Sequence, residues 1–267
     1  MKCDVLISTM NKENYLDLLK YMNINNNCTI INQMTKQQKN YQKEDKQKNI
    51  KYICCNDRGL SKSRNMAIKN STGDICIIAD DDMFYVNDYE KIIREAYIQN
   101  SDADIIAFIV DNENKNKRKK ILKKGKIGFL KSMKLQSVQI TLKKSSIEKN
   151  NIKFDEKFGA GSIYPWGEEN IFLFDCLRKK LKIYYVPIKI ATLYDTNEST
   201  WSRENNEKHF ENQGVIYYRM SKKIYLLLIL QFAVRKRKIY KKEMSFLSVI
   251  TSMINGVRKY KKCKGDN

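Results

Sequence analysis

One short run limits the fold more than any other. Residues 74–82 read D-I-C-I-I-A-D-D-D, follow Gly73 and close on three successive aspartates. An unbroken apolar run bounded by a glycine and by charge suits a β-strand covered on both faces, as in parallel sheets flanked by helices. With the chain extended, Asp80 and Asp82 share one face, roughly 7 Å apart, and Asp81 takes the other. Two such carboxylates are half a site for a hard divalent cation, Mg²⁺ or Mn²⁺, whose other ligands would be water and phosphate oxygens. A solvated acidic turn is the plain alternative. It loses ground because the triplet ends an apolar strand in a chain dominated by lysine.

The flanking sequence repeats the strand–helix rhythm. Residues 3–9, 28–32, 50–55, 104–110, 139–142 and 182–187 read as further strands. Tyr15, Leu18, Leu19 and Met22 recur at helical spacing, as do Tyr89, Ile92, Ile93, Ala96 and Tyr97 behind Asn87 as cap. Leu60, Arg64, Ala67 and Ile68 share one helix face, with Ser61 as N-cap. Residues 36–51 and 112–126 are lysine-rich; the first reads as a surface loop or a loop with a helical turn, the second, without apolar periodicity, as an exposed loop or hairpin. Strands alternating with helices predict an α/β domain, whose ligands bind beyond the carboxyl ends of the strands. Ser8, Thr9, Asn32, Arg58 and the aspartates all fall at such ends.

The stretch G-L-S-K-S-R-N-M-A-I-K-N-S-T-G-D-I-C-I-I-A-D-D-D resembles the central block of family 2 glycosyltransferases of the GT-A fold. That block pairs an Arg-Asn helix with Gly-Asp, an apolar strand and an Asp-x-Asp metal motif. The resemblance implies a Rossmann-like, mostly parallel central sheet flanked by helices over residues 1–218. It places Ser8, Thr9 and Asn32 on the nucleotide, Arg58 and Arg64 near the diphosphate, and Asp80 and Asp81 on the nucleotide sugar. Asp80 and Asp82 would hold Mn²⁺ or Mg²⁺. Arg64 also reads as a surface ion pair. Relatives usually close the second strand with an acidic residue that reads the base; Asn32 stands there instead.

A second acidic group lies in F-G-A-G-S-I-Y-P-W-G-E-E-N, residues 158–170. Apolar positions Phe172, Leu173, Cys176 and Leu177 mark a helix behind it, so Glu168 and Glu169 stand at a helix N-terminus, where the dipole favours carboxylates. The segment also resembles the family's Gly-Glu-Asp motif. That resemblance makes Glu169 the base that takes the acceptor's proton and Glu168 an acceptor binder or alternative base. Trp166 reads as a flat apolar wall for a sugar ring, or as core or rim packing. Asp195 stands where relatives often carry a metal- or diphosphate-site histidine, so it joins the metal candidates; the lone His209 does not.

Charge decides what remains. A net charge of +21 favours anionic partners. No nucleic-acid motif accompanies it, and aromatics are not interleaved with the basic runs, so nucleic acid is not expected as a partner. Residues 219–267 form a basic tail whose apolar run, 224–234, is shorter than the roughly 20 residues a bilayer span needs. The run suits a helix on an anionic membrane surface, or a hairpin packed on the catalytic domain. Seven cysteines without a C-x-x-C pair, and no signal peptide ahead of Cys3, lead us to expect a reduced cytoplasmic protein. The tail would place it on the inner face of the cell membrane. The resemblance implies a metal-dependent inverting transfer from a nucleotide sugar, a UDP-sugar foremost, to a saccharide or lipid-linked acceptor in capsular or surface polysaccharide synthesis. The competing expectation is a catalytically idle relative serving as a scaffold or anion-binding module.

Overall fold

The computed structural model describes residues 1–25, 27–36, 39–113, 122–194 and 206–264. It divides into two compact units, Met1–Glu198 and Ser199–Asn267.

The first unit is built in chain order from β1 (Cys3–Met10), α1 (Tyr15–Tyr21), β2 (Cys28–Gln33), β3 (Tyr41–Asp45), β4 (Ile50–Cys55) and α2 (Leu60–Asn70). There follow β5 (Ile75–Asp80), β6 (Met83–Tyr85), α3 (Tyr89–Gln99), β7 (Ile105–Asn112), β8 (Gly125–Ile127) and α4 (Phe129–Ser132). Next come β9 (Ile140–Lys143), α5 (Lys144–Lys149), α6 (Glu168–Arg178) and β10 (Ile183–Leu193). The sheet order is β3-β4-β2-β1-β5-β9-β7-β10-β6, with β8 also on β10.

Why β1 lies at the centre follows from its side chains. Val5 and Ile7 point into one apolar layer with Leu18 and Leu19 of α1 and Ile93, Ala96 and Tyr97 of α3. Leu6 points into the other, with Ala67 and Ile68 of α2 and Phe172, Leu173 and Cys176 of α6. The two-residue period of a strand thus supplies both faces of the sheet with a core. Strands β4, β2, β1 and β5 run parallel. Beyond them β9 is antiparallel to both β5 and β7, while β7 and β10 are again parallel. The chain leaves β1 toward β2 and β4, then returns across it to β5. Ligands bind where strand order reverses in this way. Ser8 and Asp80 are register partners at that point.

Several local expectations change. The lysine-rich run at 36–51 contains a strand, β3, antiparallel to β4; its charged, exposed side chains suit a sheet edge. At the end of the basic run at 112–126, β8 pairs antiparallel with β10. Asp88, rather than Asn87, precedes α3. Ser61 does not cap α2: Gly59 does, at φ +121°, and the Ser61 hydroxyl donates to the Phe158 carbonyl at 2.6 Å. Extended geometry ends at Asp80, and Asp81 and Asp82 form a turn into β6, so strand alternation does not set their directions.

The second unit holds α7 (Glu207–Met220), α8 (Tyr225–Arg235), α9 (Arg237–Tyr240) and α10 (Phe246–Lys264). It begins ahead of the composition shift at residue 219 because α7 packs on α10. The two backbones meet at reciprocal glycines. A Cβ on Gly214 would fall 2.1 Å from the Met253 carbonyl oxygen, and one on Gly256 2.1 Å from that of Glu211. Aromatic edges lock the remaining helices, with Phe210 against Phe232 and Tyr240, and Tyr218 against Tyr225 and Tyr260. Among the described residues no helix is long and apolar enough to cross a membrane.

Candidate active site

The site is organised by one buried cation. Arg64 lies on the inward face of α2 and is fully buried. Its Nη1 donates to Glu168 Oε1 at 2.9 Å, and its Nη2 donates to Asp80 Oδ1 at 3.1 Å and to Ser137 Oγ at 2.9 Å. The guanidinium carbon sits 5.6 Å from the centre of the Phe154 ring. Burial alone would lower the Arg64 pKa; the charges of Asp80, Glu168 and Glu169 outweigh it and raise the pKa above the ordinary arginine value. The planar fork of arginine lets one side chain serve two carboxylates at a fixed separation. The end of β5 and the first turn of α6 are thereby brought to one place.

Backbone geometry prepares the glutamate side. Gly167 caps α6 at φ +90°, which an L side chain rarely adopts. Gly159, at φ +105°, lets the chain pass close to Glu168: a Cβ there would lie 3.3 Å from the Glu168 side chain. The same loop meets the start of α2 through the Leu60 N–H, which donates to the Ala160 carbonyl at 2.9 Å. Glu168 is buried by this packing, whereas Glu169 is only half-buried. The Asn170 amide donates to Glu169 Oε1 at 3.0 Å. Burial, and next the charge of Glu168, push the Glu169 carboxyl up to about 8.

The aspartate side is held by β1 and the turn after it. Thr9 Oγ1 donates to Asp81 Oδ2 at 2.5 Å, and Lys12 Nζ lies 3.8 Å from the same oxygen. Ser63 on α2 donates to Ser8 Oγ at 2.8 Å. The Asp82 carbonyl accepts from the Tyr194 N–H at 2.9 Å. The Tyr21 ring meets the edge of Tyr194, with ring centres 6.5 Å apart, and burial, followed by the charge of Asp82, raises its phenol pKa. Asn32 is fully buried: its Nδ2 donates to the Lys12 carbonyl and to the Tyr52 hydroxyl, both at 2.7 Å, and its Oδ1 accepts from the Lys12 N–H at 3.1 Å.

Residues 32–161 match the profile of glycosyl transferase family 2. Over that segment the chain is similar to family 2 glycosyltransferases. No curated protein matches it in sequence. Among solved structures it is similar to S. aureus TarS residues 1–349 in complex with UDP-GlcNAc, at 16% identity and TM-score 0.65, covering 96% of this chain and 79% of that one. The same TarS fragment in complex with UDP gives 15% identity and TM-score 0.61, covering 96% and 81%. Against S. aureus TarS the values are 16% and 0.62, with 96% of this chain and 49% of that one covered. At such identities the likeness establishes the fold, a GT-A α/β sheet flanked by helices.

Within the first unit, the site residues expected from sequence fall into groups. Asp80, Arg64 and Glu168 form one bonded cluster, with Glu169 beside it. Ser8, Thr9 and Asp81 line the adjoining strand ends. Arg58 is exposed on the turn between β4 and α2, and Trp166 is half-buried in the loop before α6. Asp195 lies outside the described residues. Sequence reasoning missed Ser137, which bonds Arg64, and Lys12, which faces Asp81; a lone serine and one lysine among many carry no sequence signal.

The aspartate turn offers hard oxygen donors. The Asp80 side chain remains 35% exposed and Asp81 34%. Among the described residues no three His, Cys, Asp or Glu side chains converge as a complete metal cage. Hard oxygen donors of this kind are the chemistry Mg²⁺ and Mn²⁺ take from a protein when water and phosphate supply the remaining ligands.

Proposed function

We propose that the chain is an inverting transferase that moves a sugar from a nucleotide diphosphate, a UDP-sugar foremost, to a hydroxyl of a saccharide acceptor. The observation that carries this reading is the Arg64 bridge, which joins Asp80 at the switch point of the sheet to Glu168, next to Glu169. A donor seated over the ends of β1 and β5 would meet the acidic groups that Arg64 holds together. The neighbours bound to UDP-GlcNAc and UDP support the choice of donor.

In this reading Ser8, Thr9 and Asp81 frame the nucleotide, and Arg58 adds positive charge toward the diphosphate. Asp80 and Asp82 would hold Mn²⁺ or Mg²⁺, which supplies charge neutralisation for the leaving diphosphate. Glu169, deprotonated, accepts the proton of the acceptor hydroxyl as that oxygen attacks the anomeric carbon opposite the leaving group. Its raised pKa makes it a stronger base than an ordinary carboxylate. Trp166 offers a flat wall for a sugar ring. Arg64 is taken up by carboxylates, and its part is to position them rather than to bind phosphate. The acceptor we assign is lipid-linked, on the inner face of a cell membrane, in surface polysaccharide synthesis.

Thermal stabilisation across a panel of sugar nucleotides tests the donor half. With Mn²⁺ present, one or more UDP-sugars at about 100 times Kd should stabilise the protein by about 2.7 kcal/mol, and Asp82→Ala should remove the shift. Equal indifference to every sugar nucleotide would overturn the reading.

A further inference from the structure

We infer that α8 is a docking surface for an anionic lipid bilayer. The inference deepens the acceptor side of the reading above and rests on that reading for its biological sense, but it stands on other residues. Leu228, Ile229 and Ala233 of α8 are buried within the helical unit. Leu226, Leu227, Leu230 and Val234 are 54%, 62%, 49% and 62% exposed. At 3.6 residues per turn these four fall within an arc of about 100° that adjoins the buried face on the Ala233 side. They form one apolar stripe rather than scattered leucines. Ile224 and Ile239, 40% and 53% exposed, continue apolar surface past both ends of the helix.

The charge around this stripe selects its occupant. Exposed Lys222 and Lys223 precede α8, and exposed Arg235, Arg237 and Lys238 follow it, while no acidic residue occurs between residues 212 and 242. A second copy of the chain would bring the same positive charges against these. A bilayer rich in anionic headgroups accepts leucine side chains below its surface and basic side chains at it. At 11 residues, α8 is too short to span. It lies on the membrane.

Sedimentation of the full chain with vesicles tests this. The expected result is pelleting on vesicles of equal parts phosphatidylglycerol and phosphatidylcholine, weak pelleting on phosphatidylcholine alone, and loss of binding at high salt. Combined Leu227→Ser, Leu230→Ser and Val234→Ser should weaken binding by at least about tenfold, as should combined Arg235→Ala, Arg237→Ala and Lys238→Ala. All six positions are exposed, so the unfolding midpoint should hold in both variants; a charge variant that keeps its midpoint still decides the matter if the serine variant does not. Wild-type protein that ignores anionic vesicles, or variants that bind as well as wild type, would overturn the inference. So would a wild-type dimer that becomes monomeric in the serine variant without any vesicle binding. UDP release on a soluble acceptor reports the transferase reading separately, because no α8 residue belongs to the site.

Discussion

Arg64 donates to Asp80 from one terminal nitrogen of its guanidinium and to Glu168 from the other, at 3.1 and 2.9 Å. Asp80 and Glu168, far apart in sequence, are thus held at opposite ends of one rigid planar group. Removing one member of a buried ionic cluster leaves the others uncompensated, typically at a cost of about 3–5 kcal/mol. Arg64→Met should lower stability by that amount in urea denaturation. Arg64→Lys, a single point charge, cannot span both carboxylates. It should recover part of the stability but little of the activity. Equal stability in Arg64→Met and wild type would show that the bridge does not hold the site together.

Glu169 sets the pH dependence. Its folded pKa, about 8, lies above the ordinary carboxylate value of 4.5. The folded state therefore binds a proton that the unfolded chain has released between those values. The resulting stability is fully present below the unfolded pKa and is lost as pH rises through about 8. Unfolding measured across that window should become easier with rising pH in wild type, and the slope should flatten in Glu169→Gln. Activity should run the other way: kcat/KM should climb with pH and level off above about 8, as the base loses its proton.

Asn32 makes a sharper test of its role than its position suggested. Its amide donates to the Lys12 carbonyl and the Tyr52 hydroxyl. A carboxylate has no such donor, so Asn32→Asp should cost about 1–3 kcal/mol. The change is read as a shift in denaturation midpoint. Restoring the acidic residue usual in relatives should therefore destabilise the protein rather than tighten nucleotide binding.

In the helical unit, Gly214→Ala would drive a methyl group into the Met253 carbonyl, 2.1 Å away. Separation of α7 from α10 should follow, with a loss of about 3 kcal/mol, visible as a lower melting temperature. Gly128→Ala, with open space around its Cβ position, is the control.

The sequence made the central strands legible because they are buried on both faces: apolar runs at 52–55 and 75–79 need no partner to be recognised. Edge strand β3 was not, since its exposed Lys, Glu and Gln side chains carry no burial signal. The hydroxyl of Ser61 fitted a local cap and instead serves Phe158, 97 residues away. Arg64 offered one clue, a charge on an otherwise apolar helix face. Its partners could not be read, because the bridge depends on how α2, β5 and α6 pack, which no local pattern encodes. The aspartate triplet was found for its chemistry, yet strand alternation did not foretell its turn. The cysteines behaved as small apolar residues: Cys3, Cys28, Cys54, Cys55, Cys76 and Cys176 are buried, and Cys263 is exposed.

The most direct measurement is UDP release from the donor selected by thermal shift, with Mn²⁺ and a saccharide acceptor, in wild type and Glu169→Gln. Acceptor-dependent turnover should fall by at least about 100-fold in the variant, within the range for losing a general base, while donor affinity stays unchanged. Turnover equal to wild type in Glu169→Gln would contradict the assignment of α6 to the chemistry.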